Sequence, residues 1–452
     1  MKKSVAFLFS IILVATAIFT VLPALAEYRT IVVPSQYPTL EAAIANAHNG
    51  DTILIKTGTH EGPINQTIII DKTLSIIGEG VENTIINLHP TYNSSWVLTQ
   101  QFFSFSDAVT IIANDCKLIN LTLSAMPGGD VSVVGDHFQF IGCNIITDVL
   151  LNGSSCKIVN NDFSRLWLNG SFNEVLDNKV NHLDVIGSSN VVKDNFCQGL
   201  GLSFSTNNVV SHNKVWSDSR GYSGISLSNC TGNVVSNNEV SGFSSSFRLK
   251  FSSNNIIIAN LIEDSLRSFN LLGSFNNRIY LNNIVNKNTW NLYVYDNYAD
   301  PVFRDNYPDL TVSSNIWDNG TVGNYWGNYS GTDLNGDGIG DTPYIMKTAF
   351  YVHGQDPSEL VCGSDSFPLM KPVDINLIVN ELPSSTTNIP TTETPTYEPK
   401  QNEPFPTTTV IALSSISIGS ITICLLYLNR KKAVKQKRPD FYLSQNSRVR
   451  RN

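Results

Sequence analysis

CKIVNNDF (156–163), NEVLDNKV (173–180), NVVKDNFC (190–197), NVVSHNKV (208–215), NVVSNNEV (233–240), NIIIANLI (255–262) and NRIYLNNI (277–284) are variants of one pattern. CKLINLTL (116–123) and FQFIGCNI (138–145) extend it upstream. Self-similarity at a period of roughly 20 residues is the mark of a solenoid of stacked units. Each unit is too short for a helical hairpin. Val, Ile and Asn dominate it, and Gly, Ser and Asn separate it from the next, so it reads as short strands joined by turns. Asparagine holds one register at Asn161, Asn178, Asn195, Asn213, Asn238, Asn260 and Asn282, in steps of 17, 17, 18, 25, 22 and 22 residues. In stacked coils these amides lie about 4.8 Å apart. Each can then donate to one neighbour and accept from the other, which avoids the roughly 1–3 kcal/mol cost of an unpaired buried amide. The pattern predicts an all-β fold, a parallel β-helix wound one coil per repeat. Steps of 17, 22 and 25 break the hexapeptide rule of left-handed β-helices, so a right-handed helix is expected.

Outward from the repeats (110–300), residues 33–80 follow a different pattern. Pro38 to Ala47 reads as an amphipathic helix with Leu40, Ala43, Ile44 and Ala47 on one face, followed by the Gly50-Asp51 turn and a strand. A solenoid needs an atypical element over its first open coil, and this helix is expected to supply it. At the far N-terminus, Lys2, Lys3, the apolar Val5–Val21 run and Ala24-Leu25-Ala26 make residues 1–26 an expected secretory signal. Residues 380–406 are rich in Pro, Thr, Ser and Glu and are expected to form a stalk, reaching up to ~80 Å if extended. Residues 407–428 are apolar and long enough to span a bilayer, and 429–452 are strongly basic, which predicts a single-pass anchor with a cytoplasmic tail.

Charge then divides unevenly. Between residues 27 and 428 there are 19 basic and 37 acidic residues, a net of about −18. A domain this acidic does not bind nucleic acid by neutralising phosphates. Cys116, Cys143, Cys156, Cys197, Cys230 and Cys362 show no disulfide framework and are expected to pack unpaired in the core. Sequons start at Asn65, Asn93, Asn120, Asn152, Asn169, Asn229, Asn319 and Asn328, all on the side expected to be glycosylated.

Two groups of residues suggest chemistry. Asp333, Asn335, Asp337, the Ile339 carbonyl and Asp341 place oxygens at positions 1, 3, 5, 7 and 9, with Gly338 at position 6, as in the front half of a calcium loop. Tyr344 at position 12 excludes a full EF-hand, so structural Ca2+ closing the solenoid is the expectation. Trp317, Tyr325 and Trp326 nearby are expected to pack over the last coil. Before the ladder asparagines stand Asn160, Asp177, Asp194, His212 and Asn237. Asp177 and Asp194, one coil apart, would suit glycoside chemistry, although Lys179, Lys193 and Lys214 beside them suit a solvated, ion-paired face. Arg165, Trp167, Arg248 and Arg267 are further outward candidates, without partners in register in this reading.

PTLEAAIANAHNGDTILIKTGTH…KTLSIIGEG (38–80) resembles the first coil of pectin-esterase-like and NosD-like right-handed β-helix proteins. NIWDNGTVGNYWGNYSGTDLNGDGIGDTPYIM (315–346) and DSFPLMKP (365–372) resemble the closing signature of NosD-type surface proteins, especially archaeal ones. The resemblance covers about residues 30–372. It implies the β-helix and leaves activity open among lyases, hydrolases, esterases and members without chemistry. NosD is associated with assembly of a periplasmic copper site; four Met and seven scattered His here depart from that role. The expected function is therefore that of a membrane-anchored surface protein, non-catalytic, binding a polysaccharide or another cell-envelope component. A tethered lyase or hydrolase and a purely structural layer protein are the alternatives.

Overall fold

The computed structural model describes residues 28–97, 100–105, 107–125, 129–285, 292–296, 312–350 and 358–381. The expected signal, membrane span and basic tail, and nearly all of the stalk, lie outside these residues. Among the described residues no helix is long and apolar enough to cross a membrane.

Most repeats contribute one three-residue strand to a 13-stranded sheet, and the chain between them contributes one or two strands to an 18-stranded sheet. In the first sheet Lys157–Val159, Glu174–Leu176, Val191–Lys193, Val209–Ser211, Val234–Ser236 and Ile256–Ile258 pair in parallel, coil upon coil. The second sheet bends. In Lys179–Ile186, Val180 and Leu183 are both buried while Asn181 and His182 between them face solvent. The chain is a parallel β-helix whose core is the stack of inward residues from both sheets. Phe138, Phe140 and Phe163 form one such stack, with centroids 4.6 and 5.6 Å apart. Burial of each large side chain contributes about 1.5–3 kcal/mol.

The expected amide ladder runs from Asn161 to Asn282 and continues to Asn324. At each rung Nδ2 and the backbone N–H donate to the Oδ1 of the next coil, as at Asn195, where both reach Asn213 at 2.9 and 3.0 Å. A second ladder, not foreseen, climbs the other end of the short strands through Asn173, Asn190, Asn208, Asn233, Asn255, Asn277 and Asn315. Its first six residues open the repeats from NEVLDNKV to NRIYLNNI, and Asn315 opens NIWDNG.

The ends are closed differently. Leu40–Asn46 is the helix, shorter than the expected 38–47 span because Thr39 caps it by accepting from Ala42 N at 3.2 Å. Its Leu40, Ala43 and Ile44 cover the first coil as expected. Behind it Asp51 is buried; desolvation pushes its pKa up, but the Arg29 guanidinium at 2.7 Å and the N–H groups of His48 and Arg29 hold it at about 2. At the other end Phe269, Trp317, Trp326 and Tyr344 stack in sequence, so Trp317 and Trp326 do close the last coil. Asn324, the last rung, donates to the buried Asp365 carboxylate, which also accepts from Trp326 Nε1 at 2.8 Å. From there the chain turns back along the outside: Asn283 binds Val373, and Asn237 donates to the Ile375 carbonyl. Cys116, Cys143, Cys156, Cys197, Cys230 and Cys362 are all buried in the core.

Candidate functional site

The turn before each ladder asparagine is a single residue in left-handed conformation. Asn160, Asp177, Asp194, His212, Asn237, Ala259 and Leu281 all have φ between 55° and 58°. Asn and Asp enter this region more readily than other side chains, and that local demand accounts for the Asp177/Asp194 column. These carboxylates belong to a turn rather than to a strand face, and Asp194 is ion-paired with Lys193 at 3.2 Å. The column is a backbone device.

The second arm of the bent strands carries the residues that can act on a ligand. Here the outward positions fall in exact lateral register: Leu150, Trp167, Asp184, Gly201, Ser226, Arg248, Asn270 and Tyr295. At about 4.8 Å per coil, Trp167 and Tyr295 stand roughly 29 Å apart. A parallel row starts at Asp148 and continues through Arg165 and His182. Arg165, Trp167, Arg248 and Arg267 therefore do have partners in register, contrary to the sequence reading. Strand spacing in the sequence could not show this, because the bend shifts the outward phase between the two arms.

Glycines shape the middle of the row. A Cβ on Gly201 would lie 2.6 Å from Asp184 Oδ1, and one on Gly199 would lie 2.8 Å from His182 Nδ1. Asp184 and His182 thus lean over a floor without side chains, bordered by Ser226. Cationic groups flank this floor. The Arg165 guanidinium lies 4.8 Å from the Trp167 ring, and that of Arg267 lies 4.4 Å from Tyr295. Burial raises the Asp184 pKa, and the charges of Arg165 and His182 oppose the rise. At the N-terminal end of the face, burial and the nearby Asp148 and Asp107 raise that of Asp130. The face carries Asp130 and Asp148 at one end and Arg165, Arg248 and Arg267 beyond them, with Asp184 among the arginines.

The Asp333–Asp341 loop is a set of closed turns. Asp333 accepts from the N–H groups of Gly336, Asp337 and Gly338, Asp337 Oδ1 from Ile339 N, and Asp341 Oδ2 from Leu334 N. Its donor set is all oxygen, the chemistry Ca2+ takes. Asn335 Nδ2 donates to Asp337 Oδ2 at 2.9 Å, tying these two side chains together.

Residues 117–331 match the family described as periplasmic copper-binding protein (NosD). The fold of the chain is a parallel β-helix, and over that stretch the sequence is similar to the NosD family. Among solved structures it is similar to the A-modules of two Azotobacter vinelandii mannuronan C-5 epimerases. For AlgE4 the identity is 13%, the TM-score 0.46, and 59% of this chain and 85% of that one are covered. For AlgE6 these are 14%, 0.44, 56% and 83%. The catalytic domain of a GH87 alpha-1,3-glucanase in complex with nigerose is 13% identical, with a TM-score of 0.38 and coverage of 66% and 69%. No curated protein matches the chain.

The family's copper calls for His, Cys or Met ligands. The NosD-like chain does not offer them together: among the described residues no three His, Cys, Asp or Glu side chains gather as a metal site. Its thiols face the core, where burial pushes Cys143 and Cys156 up to about 11 and Cys197 up to about 12. Met346 is buried under the C-terminal cap. These residues do not fit a copper centre.

Proposed function

We propose that the NosD-like solenoid is a membrane-anchored cell-surface protein that binds a polysaccharide along the Trp167–Tyr295 face. The observation that carries this is the lateral register: aromatic, carboxylate, cationic and amide side chains follow one another coil by coil in one row, half-exposed at Trp167, Asp184, Arg248 and Tyr295. A long polymer is the ligand that matches a row of polar and aromatic groups spaced one coil apart. Arg165, Arg248, Lys250 and Arg267 on this face, in a domain of about −18, favour a glycan bearing carboxylate or sulfate groups. The anchor and the extracellular side follow from the apolar 407–428 run and its basic flank. Calcium at Asp333, Asn335, Asp337, Ile339 and Asp341 would require the carboxylates to turn from the backbone N–H groups they accept from and gather round the ion; its binding would show as a rise in unfolding temperature with Ca2+ that Asp333→Ala removes.

The test is retention of detergent-solubilised full-length protein on immobilised polygalacturonate, chondroitin sulfate and neutral glycans. Retention on an acidic glycan, weakened by salt, is expected; retention on none overturns the proposal. A second reading, glycan cleavage, is favoured by one observation: Asp184 has a raised pKa beside His182 and Arg165, suited to proton transfer. Its signature would be new reducing ends or unsaturated uronides that Asp184→Asn abolishes while binding persists.

A further inference from the structure

A second surface feature lies on the first arm of the bent strands, across the bend from the polysaccharide face. The lateral row there reads Asp162, Lys179, Phe196, Lys214, Glu239 and Leu261. Lys179 pairs downward with Asp162 at 2.7 Å, and Lys214 pairs upward with Glu239 at 3.5 Å. Both lysines are thereby drawn off Phe196, which stands between them with 36% of its surface exposed. One coil above and two residues along, Trp216 is 40% exposed. An exposed aromatic pair on a mostly hydrophilic surface needs an explanation.

The solenoid supplies its origin. Between the buried Val180 and Leu183 the chain uses two residues to round the bend, but between Val215 and Ile225 it uses nine. The pairing with the next coil shifts register between Trp216 and Gly221. Extra residues in one coil of a solenoid must bulge outward, and such insertions commonly build a binding face. Trp216 stands at the start of this widening, and beside it on the first arm lies a cleft of about 350 Å3, lined by Phe196, Lys214, Trp216, Glu239, Ser241 and Glu263 together with Val240 and Leu261, large enough for a small ligand.

We infer that this cleft is a separate binding site for an uncharged sugar, one or two pyranose rings packed on Trp216 and Phe196. The apolar ring face of a pyranose suits an aromatic surface, and Ser241, Lys214, Glu239 and Glu263 surround it with hydroxyl partners. Lys214 and Glu239 cancel as an ion pair, which leaves Glu263 as the net charge of the lining and disfavours an anion. In charge character the cleft is thus the opposite of the Arg165–Arg267 face.

The experiment titrates the full-length protein with cellotetraose, maltotetraose and N-acetylchitotetraose, read by calorimetry. At least one should bind. Trp216→Ala should lower its affinity tenfold or more, Trp216→Phe should restore part of it, and Trp167→Ala should leave it unchanged. Thermal midpoints of the variants are compared with that of the parent, since Trp216 is exposed and Trp167 half-buried. Absence of binding across the three sugars, or unchanged binding by Trp216→Ala, overturns the site. Equal loss from Trp167→Ala overturns its independence from the polysaccharide face. The acidic-glycan proposal stands or falls on its own retention test.

Discussion

The narrow coils, from Asn161 to Asn213, and the wide coils, from Asn213 to Asn282, share one ladder and differ in what they do with extra residues. A narrow coil of 17 or 18 residues is fully used by two amide rungs, two strands and a left-handed turn. The wide coils of 22 and 25 residues keep every one of these parts and add the surplus at one place, the bend of the second sheet. There the added chain encloses Phe243 and a set of small polar side chains, with Ser246 Oγ donating to Ser265 Oγ at 2.7 Å. The lesson is that the repeat carries stability and the departure from it carries surface. Both the glycine floor at Gly199–Gly201 and the aromatic cleft sit where narrow coils meet wide ones.

That comparison can be broken most severely at the junction. Asn213 is the rung where a step of 18 gives way to one of 25, and its Oδ1 accepts both from Asn195 N and from Asn195 Nδ2. Asn213→Ala would strand those donors and free the Val192 carbonyl, a loss of about 3 kcal/mol or more at roughly 1–3 kcal/mol per buried group. Urea unfolding measures it, and a loss below about 1 kcal/mol would mean that the two coil types do not depend on a continuous ladder.

The wide coils end on Asp365, and the ladder's closure should respond to pH. Burial pushes this carboxyl up from 3.8 to about 6, against the pull of the Asn324, Trp326 and Phe367 donors that favour its ionised form. Because the folded value lies above the unfolded one, the folded state binds the extra proton between them. The contribution is fully present below about pH 3.8 and is lost as pH rises through about 6, amounting to roughly 2–3 kcal/mol at about 1.4 kcal/mol per unit. Asp365→Asn should remove that slope from the stability profile; an unchanged slope would assign it elsewhere. At the opposite end Asp51, held at about 2, acts in the other direction, stabilising above pH 3.8 and losing that contribution as pH falls toward 2.

Smaller effects probe the surface. Gly201→Val should displace Asp184 from the glycine floor and weaken acidic-glycan binding about tenfold, or roughly 1.4 kcal/mol, with little change in unfolding temperature. The smallest effect is expected at the turn column: Asp177→Asn with Asp194→Asn should change stability by no more than about 0.5 kcal/mol and leave glycan binding intact. A marked loss of binding there would return function to the column that the backbone conformation explains.

Much of this fold was legible because a ladder imposes one residue type at one register, which makes Asn161 to Asn282 visible without coordinates. The second ladder is equally present in the sequence, as the leading Asn173, Asn190 and Asn208 of their repeats. The site was harder to see. Asp177 and Asp194 looked like a face because left-handed turns and acidic surfaces both select aspartate, and only φ separates the two. Trp167, Asp184 and Arg248 lie 17 and 64 residues apart along the chain, and their alignment depends on how many residues each coil spends at its bend.

The most direct test of the account is the affinity of full-length protein for immobilised polygalacturonate or chondroitin sulfate, whichever retains it, compared with the Trp167→Ala/Arg248→Ala double variant. The lateral-row account predicts a loss of tenfold or more in the double variant and none in Trp216→Ala. Equal affinity of parent and double variant, with both folded, would contradict it.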